Sequence, residues 1–322
     1  MKTPSVLIHT RSPEETAQQV RDAHPGLDIH TCNSFAALPD KITETGAEVV
    51  YSIRFEPDTP YPREAVVENP QVKWLAVGGS GTDHIGQWDP QAVTVTNAAG
   101  SAADMMAEYT LGTMLAFSLD LRGFLAAQRR REWLPMGKVR PIEGSTLLII
   151  GLGQTGQATA RRAKAMGLTL LGVRARPKDT PHVDEVHGID ALPHLYPRAD
   201  FILVCVPLLP STRGLIDQAG FQAMKPGAVL IDVSRGGVCN EAALIDALIN
   251  GPLAGAALDV FTTEPLPQDS PFWGMENVIL TPHCSSVYDG WYRRTAQMFA
   301  DNLTRYRKGQ TLMNIVDPAR GY

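Results

Sequence analysis

Short runs of apolar residues recur along the chain and alternate with segments that carry apolar residues at helical spacing. Runs of this length, bounded by turn residues, predict buried strands of parallel sheets. The segment SPEETAQQVRDA predicts a helix that begins after Ser12 and has Pro13 at its first position. Strands that alternate with helices in this way predict an α/β fold.

The predicted strands fall into two series, separated by one long helix. The first series is SVLIHT, AEVVYSI, VKWLAVG and VTVTNAA, and the second is STLLIIG, LTLLGV, FILVCVP, AVLIDVS, LAGAALDV and NVILTPH. The helix between them is DMMAEYTLGTMLAFSLDLRGFLAAQRRR. A final helix, about 290 to 309, is expected to pack back onto the first domain. We therefore predict two doubly wound domains with parallel sheets, residues 1–99 plus 287–322 and residues 100–286.

Composition limits the classes of partner. The 322 residues are 44% hydrophobic and carry a net charge of -5, enough chain for two cores and no general attraction to nucleic acid or an anionic membrane. No run approaches the roughly 20 apolar residues of a membrane helix, and the first apolar run is too short for a secretory signal. Cys32, Cys205, Cys239 and Cys284 form no C-x-x-C pair, which predicts reduced thiols in a cytoplasmic protein without a metal site.

A glycine-rich turn follows the strand STLLIIG and begins a helix. Gly151, Gly153 and Gly156 have G-x-G-x-x-G spacing in the strand–turn–helix context that a dinucleotide site requires. The N–H groups at the start of the helix are then free to bind the pyrophosphate. Gln157 and Ala158 stand where a nucleoside triphosphate loop needs Lys and Ser or Thr, which excludes that loop. A glycine turn without a ligand is the alternative.

The position after the next strand distinguishes the two nicotinamide dinucleotides. An acidic residue there binds the adenosine ribose of NAD, but this chain has Arg174, followed by Arg176 and Lys178. Arginine suits a 2′-phosphate through charge-assisted contacts. We therefore expect NADPH to be preferred, with NADH as the alternative cofactor and a solvated basic loop as the alternative interpretation.

Three polar residues stand at or beyond the ends of later strands, where open α/β sheets bind ligands. Arg235, Glu264 and His283 each have an ordinary structural interpretation, as an ion pair, a loop carboxylate and a strand-end histidine. Together, after a dinucleotide loop, they predict reduction of a carbonyl beside a carboxylate. Arg235 would hold the carboxylate and polarise the ketone, His283 would donate the proton, and Glu264 would orient its ring.

The chain resembles the D-isomer-specific 2-hydroxyacid dehydrogenase family, especially its NADPH-dependent glyoxylate/hydroxypyruvate reductase branch. The resemblance covers nearly the whole chain and is carried by GLGQTG, VPLLPSTRGLI, DVSRGGV, ALDVFTTEPLP, TPHCSS, GGSGTDHI and NAAGSAADMMAEYTLGTML. It implies two Rossmann-like domains with the active site in the interdomain cleft. It also implies that the first domain binds substrate, the second binds the dinucleotide, and an arm at about 100–140 forms a homodimer.

The resemblance also assigns further site residues. It implies a cofactor site of Gly151, Gly153, Gln154, Thr155, Gly156, Arg174, Arg176, Val206, Pro207, Thr212, Val233 and Asp259. Val233 should offer a backbone contact, and Asp259 should meet the nicotinamide carboxamide. The substrate carboxylate is expected at Val77, Gly78, Gly79 and Arg235, with Arg54 as a second positive group or a surface ion pair.

Some features depart from the commonest family pattern. Cys284 follows the histidine, and Tyr288 and Trp291 come soon after, where they would shape the substrate pocket or a partner contact. Hydride transfer needs no nucleophile, so none is assigned to Cys284. No regulatory extension is expected after Tyr322, which argues against a phosphoglycerate dehydrogenase with an effector domain.

The predicted reaction is reduction of small 2-keto acids, glyoxylate or hydroxypyruvate, to D-2-hydroxy acids. The alternative enzyme is a dehydrogenase of another D-2-hydroxy acid, such as D-lactate, D-3-phosphoglycerate or a bulkier acid. A non-catalytic scaffold that senses dinucleotides is the alternative from another class, and the complete Arg235, Glu264 and His283 set argues against it.

Overall fold

The computed structural model describes residues 3–56, 59–135, 137 and 139–319. These residues form two compact units, residues 1–101 with 288–322 and residues 102–287. In each unit helices cover a sheet whose paired strands are all parallel. The predicted α/β class with two doubly wound, parallel-sheet domains is confirmed. No helix among the residues described is long and apolar enough to cross a membrane.

The first unit has a five-stranded sheet in the order β2-β1-β3-β4-β5. Its strands are β1 (Val6–His9), β2 (Ile29–Cys32), β3 (Val49–Ser52), β4 (Trp74–Val77) and β5 (Thr94–Thr96). Its helices are α1 (Pro13–Ala23), α2 (Leu38–Thr45), α3 (Arg63–Val67), the short 3₁₀ helix Asp83–Ile85 and, from the end of the chain, α10 (Trp291–Arg307). Alternate strand residues enter two separate buried clusters, so both faces of the sheet are covered.

The second unit has a seven-stranded sheet in the order β12-β11-β10-β9-β6-β7-β8. Its strands are β6 (Thr146–Ile150), β7 (Thr169–Val173), β8 (Glu185–His187), β9 (Phe201–Val204), β10 (Ala228–Asp232), β11 (Leu253–Leu258) and β12 (Val278–Leu280). Its α-helices are α4 (Ala103–Ser118), α5 (Leu121–Arg129), α6 (Gln154–Ala165), α7 (Leu192–Leu195), α8 (Gln218–Gln222) and α9 (Glu241–Ile249). Short 3₁₀ helices lie at Ile189–Ala191, Tyr196–Arg198 and Pro271–Gly274.

The strand order of the second unit reverses at β6. The chain runs outward from β6 through β7 to β8, then returns to β9 on the other side of β6. Ligands of open α/β sheets bind at the carboxyl ends of the strands beside such a switch point. The glycine turn follows β6 directly, so the fold places it at this point.

The single long helix predicted between the two strand series is wrong, because the segment forms α4 and α5 with a break between them. Asp120 has a φ of 48°, in the left-handed region that interrupts a helix and that aspartate tolerates better than most residues. The carbonyl of Ser118 accepts a hydrogen bond from the N–H of Arg140 at 2.8 Å, outside the helical ladder. The helix therefore ends at Ser118, because its carbonyl bonds outside the helix and the backbone becomes left-handed at Asp120.

Candidate active site

The glycine turn after β6 has the backbone geometry of a dinucleotide loop. Gly151 has a φ of +111°, and a Cβ there would lie 2.8 Å from the carbonyl oxygen of Cys205. A Cβ on Gly156 would lie 2.0 Å from the carbonyl oxygen of Gly151, whereas Gly153 has no heavy atom within 4 Å of such a Cβ. Gly151 and Gly156 are therefore required by the packing of the protein itself, whereas Gly153 leaves open space before the N-terminus of α6. The turn fits a pyrophosphate held by helix N–H groups.

Arg174 follows β7 at the same edge of the sheet. Its N–H donates to the carbonyl of His187 at 3.1 Å, and its Nη1 donates to Thr180 Oγ1 at 3.5 Å. The parallel register of β6 and β7 pairs Ile150 with Val173, so the glycine turn and Arg174 leave adjacent strands together. The side chains of Arg176 and Lys178 are exposed in the same loop. This loop therefore places three basic residues after β7, the strand at whose end the adenosine ribose is expected.

Several other predicted cofactor residues lie at the glycine turn or in the loop that follows β9. The Val206 side chain would contact a Cβ on Gly151 at 2.9 Å. Thr212 Oγ1 donates to the carbonyl of Pro207 at 2.6 Å and accepts from the N–H of Leu209 at 2.8 Å, which fixes the loop after β9. Thr155 Oγ1 donates to the Sδ of Met106 at 3.5 Å. Gln154 is the first residue of α6.

His283 and Glu264 form a hydrogen-bonded pair. The Nδ1 of His283 lies 2.8 Å from Glu264 Oε2, and Glu264 Oε1 accepts from the N–H of Phe261 at 2.9 Å. Burial raises the pKa of Glu264, but the hydrogen bonds from His283 and Phe261 and the charge of Arg235 outweigh it and hold the pKa below its ordinary value. An ionised Glu264 accepts only, so Nδ1 carries the proton and Nε2 is left for chemistry.

Arg235 leaves the end of β10, the strand next to β11. The N–H and Oγ of Ser234 donate to Oδ1 of the buried Asp232 at 2.9 and 2.5 Å, which fixes this strand end. The Nη1 of Arg235 donates to the carbonyl of Ser234 at 2.7 Å. Burial raises the pKa of Asp232 to about 6, although bonds from Ser234 and Cys239 act in the opposite direction.

Asp259 holds the turn that carries His283. It is 1% exposed, and its Oδ1 accepts from Thr281 Oγ1 at 2.6 Å and from the N–H of Cys284 at 2.8 Å. Its Oδ2 accepts from the N–H of Ser285 at 2.9 Å. No role for Thr281 or Ser285 follows from the sequence pattern. Their closeness to His283 in the chain was the only signal, because the carboxylate that joins them comes from another strand. The carboxamide contact expected of Asp259 stays a prediction.

The predicted substrate-carboxylate loop lies in the first unit, after β4. A Cβ on Gly78 would lie 2.4 Å from Ile53 Cγ1, so a side chain there has no room. The carbonyl of Gly79 accepts from the N–H of Ala98 at 2.9 Å, and a Cβ on Gly79 would meet open space. Arg54 is exposed after β3, the neighbouring strand, so its side chain leaves the same sheet edge as Val77.

The aromatic residues that depart from the family pattern belong to the first unit. Tyr288 donates its hydroxyl to the carbonyl of Ser101 at 3.1 Å. Trp291 packs partly buried against the core and edge-on against Tyr292, with ring centroids 4.9 Å apart. Their expected contribution to a substrate pocket or partner contact stays a prediction.

The second unit thus gathers two groups of predicted residues on one sheet edge. The glycine turn and Arg174 follow β6 and β7, while Arg235, Glu264 and His283 follow β10, β11 and β12. The first group can hold the phosphates of a dinucleotide, and the second can hold a carboxylate and move a proton. An edge with both groups is suited to hydride transfer to a carbonyl compound.

Comparisons with known proteins agree with this chemistry. The family model described as "D-isomer specific 2-hydroxyacid dehydrogenase, NAD binding domain" matches residues 111–285. A D-3-phosphoglycerate dehydrogenase of Methanocaldococcus jannaschii is 34% identical over 97% of this chain, which spans 59% of that protein. A glyoxylate reductase of Korarchaeum cryptofilum is 32% identical over 98% of this chain and 96% of its own length. The crystal structure of an NADPH-dependent glyoxylate/hydroxypyruvate reductase from Sinorhizobium meliloti, in complex with NADP and sulfate, has a TM-score of 0.84 at 27% identity, over 99% of this chain and 100% of that one.

Proposed function

Because the chain belongs to the D-isomer specific 2-hydroxyacid dehydrogenase family, we propose that it reduces small 2-keto acids to D-2-hydroxy acids with NADPH as its preferred cofactor. The hydrogen-bonded pair of His283 and Glu264, beside Arg235 and on the sheet edge of the glycine turn, is the observation that carries the proposal. Glyoxylate and hydroxypyruvate are the proposed substrates, supported by the names of two similar proteins.

Each residue of the edge has a separate task in this proposal. The nicotinamide supplies the hydride when the dinucleotide is bound. His283 Nε2 gives a proton to the keto oxygen, while Glu264 keeps the ring oriented through Nδ1. Arg235 binds the substrate carboxylate with a charge-assisted contact, which fixes the carbonyl beside His283. Val77, Gly78, Gly79 and Arg54 are proposed as further residues that bind a carboxylate.

The cofactor would be held along the edge from β11 to β7. Gly151, Gly153, Gly156 and the first N–H groups of α6 would bind the pyrophosphate, with Gln154 and Thr155 at the same turn. Val206, Pro207 and Thr212 would line the adenine and ribose side, and Val233 and Asp259 the nicotinamide side. Arg174, with Arg176, would bind a 2′-phosphate, since a guanidinium donates charge-assisted hydrogen bonds to phosphate oxygens.

We also propose that the protein is a cytoplasmic homodimer. Its four cysteines are free thiols, as expected in a reducing compartment. The segment that includes α5 exposes Leu121, Leu125 and Trp133, the last at 93%. Neighbouring exposed apolar side chains of this kind are typical of an interface, and a second copy of the same segment would cover them.

Steady-state kinetics with NADPH and NADH against a panel of 2-keto acids tests the proposal. We expect the highest kcat/KM with NADPH and glyoxylate or hydroxypyruvate, and a D-configured product from hydroxypyruvate. Preference for pyruvate, 3-phosphohydroxypyruvate or a bulkier keto acid would replace the proposed substrate. Equal kcat/KM with both cofactors would refute the proposed role of Arg174.

A further inference from the structure

The turn from Thr281 to Ser285 holds His283 in an unfavourable backbone conformation. His283 has a φ of 52°, in the left-handed region that residues with a Cβ seldom adopt. Such a conformation persists where the surrounding structure fixes it, and such residues are frequent at active sites. Here the fixing groups lie on both sides of the histidine, because Asp259 accepts from Thr281 before it and from Cys284 and Ser285 after it.

The bond from Thr281 to Asp259 leads on to a residue of α4. The hydroxyl of Tyr109 lies 2.9 Å from Thr281 Oγ1. A threonine hydroxyl has one proton, and Thr281 gives that proton to the Asp259 carboxylate at 2.6 Å. Tyr109 must therefore donate to Thr281. The two hydrogen bonds therefore run in one direction, with Tyr109 donating to Thr281 and Thr281 donating to Asp259.

Packing also holds the Tyr109 side chain in place, independently of its hydrogen bond to Thr281. Its ring packs against the buried cluster formed by α4, α6 and alternate residues of the second sheet. Burial raises the pKa of Tyr109 to about 12, although the hydrogen bond with Thr281 opposes the shift. The hydroxyl is therefore protonated and able to donate at neutral pH. Replacement by phenylalanine keeps the packed ring and removes only the donor.

We infer that Tyr109 is a positioning residue for the proposed acid/base histidine. By donating to Thr281 it orients the Thr281 hydroxyl toward Asp259, and this bond holds the turn in the conformation that presents His283 to Glu264. The inference rests on the proposed role of His283. It adds a residue from the helix that begins the second unit, far from His283 in the sequence.

Amide hydrogen exchange in the protein without cofactor tests the inference directly. In Tyr109→Phe the amides of Cys284 and Ser285 should exchange roughly 2-fold to 10-fold faster, the change expected when one hydrogen bond is lost. Thr281→Val should show at least the same increase, and Thr281→Ser, which keeps the hydroxyl, should remain close to wild type. Tyr196→Phe is the matched control, since the buried Tyr196 hydroxyl of the same unit has no hydrogen-bond partner among the residues that the structure describes.

Kinetics of the same variants supply the second readout. We expect kcat to fall roughly 2-fold to 10-fold in Tyr109→Phe, with the dissociation constant for NADPH unchanged. The Tyr109→Phe/Thr281→Val double variant should be no slower than Thr281→Val alone, because both changes break one chain. Unchanged exchange in Tyr109→Phe, additive effects, or equal losses in Thr281→Ser and Thr281→Val would overturn the inference. Failure of the acid/base assignment is distinguishable, because it would appear as full activity in His283→Ala.

Discussion

At the scale of single residues, the proposed site combines side chains at strand ends with residues that hold them through hydrogen bonds. Arg235, Glu264 and His283 could be recognised because each follows a strand, and the structure places His283 and Glu264 in contact. The bonds from Thr281 to Asp259 and from Tyr109 to Thr281 could not be predicted. They depend on side-chain directions from three different elements, which no periodic pattern records.

The role of Arg174 is testable by reversing its charge. Arg174→Asp should weaken NADPH binding by about 1–3 kcal/mol, because a charge-assisted contact to a 2′-phosphate is lost and a repulsive charge takes its place. NADH binding should change much less. Fluorescence titration with both dinucleotides measures the ratio, and Lys308→Asp is the control for the same charge change in the first unit. An unchanged ratio would show that Arg174 does not face the phosphate.

Asp232 should make stability depend on pH. Burial raises its pKa from 3.8 to about 6. At a pH between these two values, Asp232 is protonated in the folded protein and ionised in the unfolded chain. The free energy of unfolding should therefore fall as pH rises through this window, by about 3 kcal/mol, and then level off. Urea unfolding at pH 4 to 7 measures the slope.

Asp232→Asn removes this titration and should flatten the slope, whereas Asp190→Asn, a change at an exposed aspartate, should preserve it. The comparison uses the slope and not the absolute stability, since the amide also alters the bonds from Ser234 and Cys239. Identical slopes in wild type and Asp232→Asn would exclude a protonated Asp232.

At the scale of elements, prediction succeeds where a segment is strongly apolar or strongly periodic. The helix predicted to begin at the glycine turn is confirmed as α6, and all ten predicted strands are present. Strands β2 and β8 were not predicted, because their residues IHTC and EVH contain no apolar run. Both are edge strands with one neighbour, so they need fewer buried side chains. The break at Asp120 was missed because helical periodicity continues across it.

The glycine turn offers a matched pair of substitutions. Gly153→Ala adds a Cβ that has no heavy atom of the described residues, its chain neighbours aside, within 4 Å, so the melting temperature should hardly change while NADPH affinity falls. Gly156→Ala places a Cβ 2.0 Å from the Gly151 carbonyl oxygen, so α6 must shift and stability should fall by roughly 1–3 kcal/mol. Differential scanning fluorimetry and NADPH titration separate the two effects. Unaltered NADPH affinity in Gly153→Ala would contradict a pyrophosphate at this turn.

At the scale of the whole molecule, two strand series in the sequence correspond to two sheets in the structure, each in its own compact unit. Hydrophobic pattern determines this outcome because each series can bury both faces of its own sheet. The pattern does not fix how many copies associate or which keto acid is bound. Those properties depend on a few exposed side chains and on the dimensions of a pocket, so they stay predictions.

The proposed dimer can be tested at its exposed apolar segment. Leu125→Glu places a charge at a side chain that is 53% exposed and should convert the protein into a monomer of 35.0 kDa, because an unpaired charge would be buried in the interface. Ile249→Glu changes a more exposed apolar residue, Ile249 of α9 at 64%, and should leave the dimer intact. Analytical ultracentrifugation at several concentrations gives the masses. Sedimentation of the wild type as a monomer would rule out the proposed homodimer.

The central claim is that the glycine turn and the Arg235, Glu264 and His283 edge form one reductase site. Single-turnover mixing of the NADPH-loaded protein with glyoxylate, for wild type and His283→Ala, tests it most directly. We predict that wild type oxidises the bound NADPH, and that His283→Ala binds NADPH equally well but oxidises it about 10²- to 10⁴-fold more slowly, since it lacks the proton donor. Equal rates of NADPH oxidation in the two proteins would contradict the claim.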